Sequence, residues 1–103
     1  MIQITLHTQG DEIIGFECTG HAGYAEAGSD IVCAAVSILT TTCANALESV
    51  AGVKPQVKVS SGKMVLALPQ GSGHDAQVIL KSMRQGLRDL QAEYSEYLLL
   101  NEQ

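Results

Sequence analysis

The stretch Ile2-Gln3-Ile4-Thr5-Leu6-His7-Thr8-Gln9-Gly10-Asp11-Glu12-Ile13-Ile14-Gly15-Phe16-Glu17-Cys18-Thr19 decides the architecture. Ile2, Ile4 and Leu6 alternate with Gln3, Thr5 and His7, so an extended chain carries its apolar groups on one side. Gln9-Gly10-Asp11-Glu12 supplies a turn. On the return, Ile14, Phe16 and Cys18 alternate with Gly15, Glu17 and Thr19. A hairpin with one dry face is not stable alone and needs a second layer to cover that face.

The rest of the chain supplies the layer. Ser29 or Asp30 can cap a helix, because either side-chain oxygen accepts from a first-turn N–H. The helix runs to Val50 or Ala51, where Gly52 stops it. Val32, Val36, Leu39, Cys43, Leu47 and Val50 mark its core face, and Cys33, Ser37 and Thr40 form a polar stripe beside it. Thr40-Thr41-Thr42 are poor helix formers, so packing must hold this segment. A second hairpin follows, with Gln56–Ser60 and Met64–Leu68 joined through Ser60-Ser61-Gly62-Lys63, and Pro69 ends it. A second helix opens near Ser72-Gly73-His74-Asp75, with Ala76, Ile79, Leu80, Met83, Leu87, Leu90 and Tyr94 as its apolar stripe. Tyr97–Leu100 reads as a closing strand. The order ββ-α-ββ-α-β predicts an α+β two-layer sandwich, with two helices packed on a mostly antiparallel sheet.

At 103 residues, 46% hydrophobic and 17% charged, the expectation is one domain over residues 1–103. Six Lys+Arg against eleven Asp+Glu give a formal charge of −5. That sign argues against direct nucleic-acid binding, which needs a basic footprint. Three cysteines without a CxxC argue against a disulfide scaffold and for a reducing compartment. The alternating N-terminus is unlike a signal peptide, and Ile31–Leu39, interrupted by Ser37, is too short to span a membrane. A cytoplasmic protein is expected.

The chemistry concentrates between the first hairpin and the first helix, in Gly20-His21-Ala22 and Gly28-Ser29-Asp30-Ile31-Val32-Cys33. Cys33 falls in the first helical turn, whose amides favour a thiolate and later an oxyanion. The bland alternative is a small buried core residue. His21, in a glycine-flanked loop read as mobile from Gly20 to Gly28, can reach the helix start and take the thiol proton. Asp30 either orients the imidazole or caps the helix, and its charge opposes the thiolate where it lies too close. His7 and His74 have no evident partner. His21, Cys18 and Cys33 could converge, but without an HxxxH or CxxC pair no metal site is expected. Gly71-Ser72-Gly73 lacks the lysine and further glycines of a phosphate cradle, and no cofactor is expected.

At these residues the chain resembles the ribosomal-processing cysteine protease family, Prp. The blocks GHA at residues 20–22 and GSDIVCAAVS at residues 28–37 carry the resemblance, and Glu93-Tyr94-Ser95-Glu96-Tyr97-Leu98 adds a weaker match. The resemblance implies a cytoplasmic, homodimeric endopeptidase that removes a short N-terminal extension from a large-subunit ribosomal protein. It makes Cys33 the nucleophile and His21 the general base, and aligns Asp30 with the family's acidic residue before the helix. A substrate tail between the loop and the helix start would touch Gly20, Gly23 and Gly28, with Ser37 at the pocket's edge. Two other readings of the residues stay open: a non-enzymatic acidic dimer gripping a basic ribosomal or assembly partner, and a redox sensor acting through Cys33.

Overall fold

The computed structural model describes residues 1–26 and 30–103. Strands β1 (Ile2–Gln9) and β2 (Glu12–Thr19) form the first hairpin, and helix α1 (Ile31–Ser49) follows. Strands β3 (Gln56–Ser60) and β4 (Lys63–Ala67), helix α2 (His74–Glu93) and strand β5 (Leu98–Glu102) complete the order. The sheet runs β3-β4-β2-β1-β5, antiparallel except where β5 lies parallel to β1. The expected α+β sandwich is what forms.

The strand order explains why both helices share a side. β2 and β3 point the same way with β4 between them, and β4 and β5 point the same way with β2 and β1 between them. The two crossovers move in opposite directions across the sheet from strands of opposite sense. Right-handed connection therefore puts α1 and α2 on one face, where they pack against each other. Ile4, Leu6, Phe16 and Leu66 from the sheet meet Val32, Leu47, Leu80, Met83 and Leu87 from the helices in one core. A leucine buried as fully as Leu47 contributes about 1.5–3 kcal/mol. The opposite face of the sheet carries Gln3, Thr5, His7 and Glu17 beside Val65 and Leu99, with His7 Nε2 3.5 Å from Glu17.

Two features depart from the periodicity. β2 bulges: His7 faces Gly15 but Thr8 faces Ile13, leaving Ile14 as an extra residue. The phase of the strand flips there, so Ile13 is buried and Ile14, expected inside, is exposed. The buried side chain of Gln77 serves the bulged strand, accepting from Ile13 N–H at 2.8 Å and donating to its carbonyl at 2.9 Å.

On α1 the buried stripe is Val32, Val36, Thr40, Ala44 and Leu47. Thr40, expected on the polar stripe, is inside because its hydroxyl donates to the Val36 carbonyl at 2.8 Å. Leu39 turns toward α2, where a Cβ on Gly86 would press against its methyls, and is only partly buried. Val50, expected in the core, caps the helix and is 73% exposed. At 19 residues α1 is long and apolar enough to cross a membrane, which the shorter run Ile31–Leu39 understated. Its buried stripe belongs to the core of the sandwich.

Candidate active site

Asp30 organises the start of α1. Its extended backbone makes it the N-cap, and Oδ1 accepts from Val32 N–H at 3.0 Å and Cys33 N–H at 2.9 Å. The other oxygen, Oδ2, accepts from Tyr24 N–H at 3.1 Å and Ala25 N–H at 3.4 Å. One carboxylate thus closes the helix end and ties the preceding loop to it. The Cys33 amide does most to hold its carboxyl below the usual carboxylate range, against a smaller effect of burial, with the Ala25 and Tyr24 amides adding to the lowering.

The same bonds alter the expected electrostatics of the site. The first-turn amides of Val32 and Cys33, read from the sequence as donors to an oxyanion, are already engaged by Asp30. The amide aimed at sulfur comes from the loop instead, where Ala22 N–H donates to Cys33 Sγ at 3.3 Å. A helix-capping side chain satisfies the amides that would otherwise face a ligand.

His21 and Cys33 are brought together in two adjoining cavities. One, of about 270 Å³, is also lined by Gly20, Ser37, Cys18, Lys63 and Met64. The other, of about 500 Å³, is bounded by Gly23, Ala25, Asp30 and Ser37. His21 is exposed and Cys33 half-buried. Gly20 and Gly23 hold the loop's shape, with φ of 87° and 70°. A Cβ on Gly20 would also collide with the Met1 carbonyl oxygen. Of the residues expected here, Gly20, His21, Gly23, Asp30, Cys33 and Ser37 assemble around these cavities, and Gly28 lies outside the described residues.

Cys18 shares the smaller cavity with His21 and Cys33, yet among the described residues no group of three or more His, Cys, Asp or Glu could hold a metal ion. Burial pushes its thiol up, and Cys33 nearby adds to the rise. Burial pushes the Cys43 thiol up as well. A half-buried thiol under a loop amide, beside a histidine and a peptide-sized opening, is equipped for attack on a carbonyl.

A family model described as cysteine protease Prp matches residues 1–99. The chain belongs to the Prp family. It is a cysteine protease. The ribosomal processing cysteine protease Prp of Bacillus subtilis is 31% identical over 105 aligned positions, covering 95% of this chain and 94% of that protein. The essential ribosomal processing protease Prp of Staphylococcus aureus, solved with a covalently linked product peptide, superposes with a TM-score of 0.95. It is 26% identical, and each chain is covered over 100% of its length. The same protease with a substrate peptide gives a TM-score of 0.89 at 25% identity, again with 100% of each chain covered.

Two parts of this Prp site escaped the sequence reading. The Ala22 amide carries no residue-type signal, because any non-proline residue supplies the same N–H. Lys63 and Met64 come from the start of β4, and reach the cavity because β4 pairs beside β2, with Cys18 opposite Met64. The period-two pattern shows that these strands exist, but not that they are neighbours.

Proposed function

We propose that this Prp-family chain removes a short N-terminal extension from a large-subunit ribosomal protein, working as one protease domain over residues 1–103 and as a cytoplasmic homodimer. The observation that carries the site assignment is the Ala22 N–H donating to Cys33 Sγ at 3.3 Å, with His21 on the same cavities. The ribosomal processing named for the Bacillus subtilis relative, and the product peptide held covalently by the Staphylococcus aureus one, support the substrate class.

In this mechanism the substrate tail enters between the His21 loop and the start of α1. His21 takes the Cys33 proton, and the thiolate attacks the scissile carbonyl. The Ala22 amide, positioned on sulfur before reaction, donates to the oxygen that becomes negative. A single such donor contributes on the order of 3 kcal/mol to the transition state. The imidazolium then protonates the leaving amine. Water, deprotonated by His21, hydrolyses the thioester and restores the thiol. Asp30 holds both the loop and the helix end in register for this encounter. Gly20, Gly23 and Ser37 border the substrate path, and no metal or cofactor enters any step.

The test is mass spectrometry of the organism's large-subunit ribosomal proteins after incubation with wild-type, Cys33→Ala and His21→Ala protein. A single N-terminal truncation with wild type, absent with Cys33→Ala and at least about a hundredfold slower with His21→Ala, is expected. Turnover by Cys33→Ala at the wild-type rate refutes the nucleophile. An acidic binding module, by contrast, leaves every ribosomal protein at its original mass.

A further inference from the structure

All three tyrosines of the chain meet at one corner, and the chain has no tryptophan. The ring of Tyr24 lies 5.7 Å from that of Tyr94 at 88° and 5.1 Å from that of Tyr97 at 77°, edge to face in both pairs. Such pairs are directional, since the positive ring edge seeks the negative ring face. The partners sit on a well-held turn. Tyr94 caps α2 with its N–H on the Leu90 carbonyl, and its own carbonyl accepts from Tyr97 N–H at 2.9 Å and Leu98 N–H at 3.1 Å. The Tyr97 carbonyl in turn accepts from Ile2 N–H of β1 at 2.9 Å. Both rings pack against the core, whereas Tyr24, 42% exposed, belongs to the loop.

Tyr24 therefore joins three parts of the molecule. Its ring is held by the α2–β5 corner, and its amide by Asp30 at the head of α1. Two residues before it, the Ala22 amide meets Cys33 Sγ, and His21 comes directly before that. We infer that Tyr94 and Tyr97 are positioning residues for the His21–Cys33 pair, acting through the ring of Tyr24 on the loop that carries the histidine. The inference rests on the proposed roles of that pair. Hydrogen bonds to Asp30 fix the loop at its helix end, Gly20 N–H on the Gly62 carbonyl and the buried Ala22 fix its start, and the aromatic corner ties it to the α2–β5 turn.

Alkylation of the three cysteines by iodoacetamide, followed site by site across pH by peptide mass spectrometry, tests the inference. The charged or titratable neighbours of Cys33 in its cavities are His21, Asp30, Cys18 and Lys63, and none is altered. Tyr24→Leu and Tyr97→Leu are expected to slow Cys33 alkylation at neutral pH about tenfold and to move its profile to higher pH. Cys18 and Cys43 should keep their rates. Tyr24→Phe, which retains the ring, should match wild type. Because Tyr24 is a loop residue, Tyr24→Leu is expected to keep the wild-type thermal midpoint and so to separate positioning from folding. A wild-type Cys33 profile in Tyr24→Leu overturns the inference, as does an equal change at all three thiols. Failure of the roles proposed for His21 and Cys33 looks different: wild-type protein then alkylates Cys33 no faster than Cys18 and Cys43.

Discussion

Asp30 shows how much one side chain can settle. Its place before an apolar periodic run made it legible as a helix cap. Its second set of bonds was not legible, because Tyr24 and Ala25 reach Oδ2 only after the loop folds back. The consequence for stability has a definite sign. Its carboxyl is held below the ordinary value near 3.8, so folding favours the ionised form. That stabilisation is complete above the unfolded-state value and is lost as the pH falls through the folded one. Asp30→Asn should lower the thermal midpoint at neutral pH, and the gap to wild type should narrow as the pH falls below the ordinary value near 3.8. A gap that stays constant through the acid range shows that the charge contributes nothing. That Cys33 and His21 could meet was legible from type and spacing, and both line the same cavities. The amide that touches the sulfur was not, since the residue that supplies it is an alanine.

At the scale of elements, the hairpins and helices follow from periodicity, and the departures have local causes. β3 spans Gln56–Ser60 as its alternation predicts, and α1 ends before Gly52. β5 runs on to Glu102 beyond the apolar residues. Parallel pairing with β1 continues there, and Arg88 Nη2 on α2 donates to Glu102 Oε1 at 2.8 Å. The bulge at Ile14 could not be read, because Ile13 and Ile14 are chemically identical and either could face inward. What selects Ile13 includes Gln77, a polar residue that the helical stripe gave no reason to bury. Gln77→Leu leaves the N–H and carbonyl of Ile13 without these partners. Each lost partner is expected to cost about 1–3 kcal/mol, measured as a lower urea midpoint. A midpoint equal to wild type means that the bulged strand finds other partners.

For the whole molecule, the two-layer class followed from the need to cover one dry face, but the strand order did not. Adjacent strands in sequence are adjacent in space for both hairpins. The placement of β5 beside β1, and of β4 beside β2, depends on where the crossovers land. That order assembles the site. It puts the ends of β2 and β4 under the first turn of α1, and it sets the α2–β5 turn close enough to receive the loop between them. The close superposition on the Staphylococcus aureus protease, with a TM-score of 0.95 at 26% identity, fits a topology that tolerates wide change in its residues.

The strand at the other border of the sheet carries a different hazard. β3 is exposed along its whole length, with Val59 74% and Val57 43% accessible, and among the described residues its outer backbone groups face no neighbouring strand. Such a border can template the growth of intermolecular β-structure. Pro55 withholds an amide just before it and Lys58 sets a charge at its centre, both acting as gatekeepers against self-assembly. Lys58→Val should therefore scatter light at concentrations where wild type stays clear, and unchanged scattering would mean that another feature guards this border. Where Lys58 does guard it, colloidal behaviour is governed by a strand whose Val59 and Ser60 also line the cavity of Cys33.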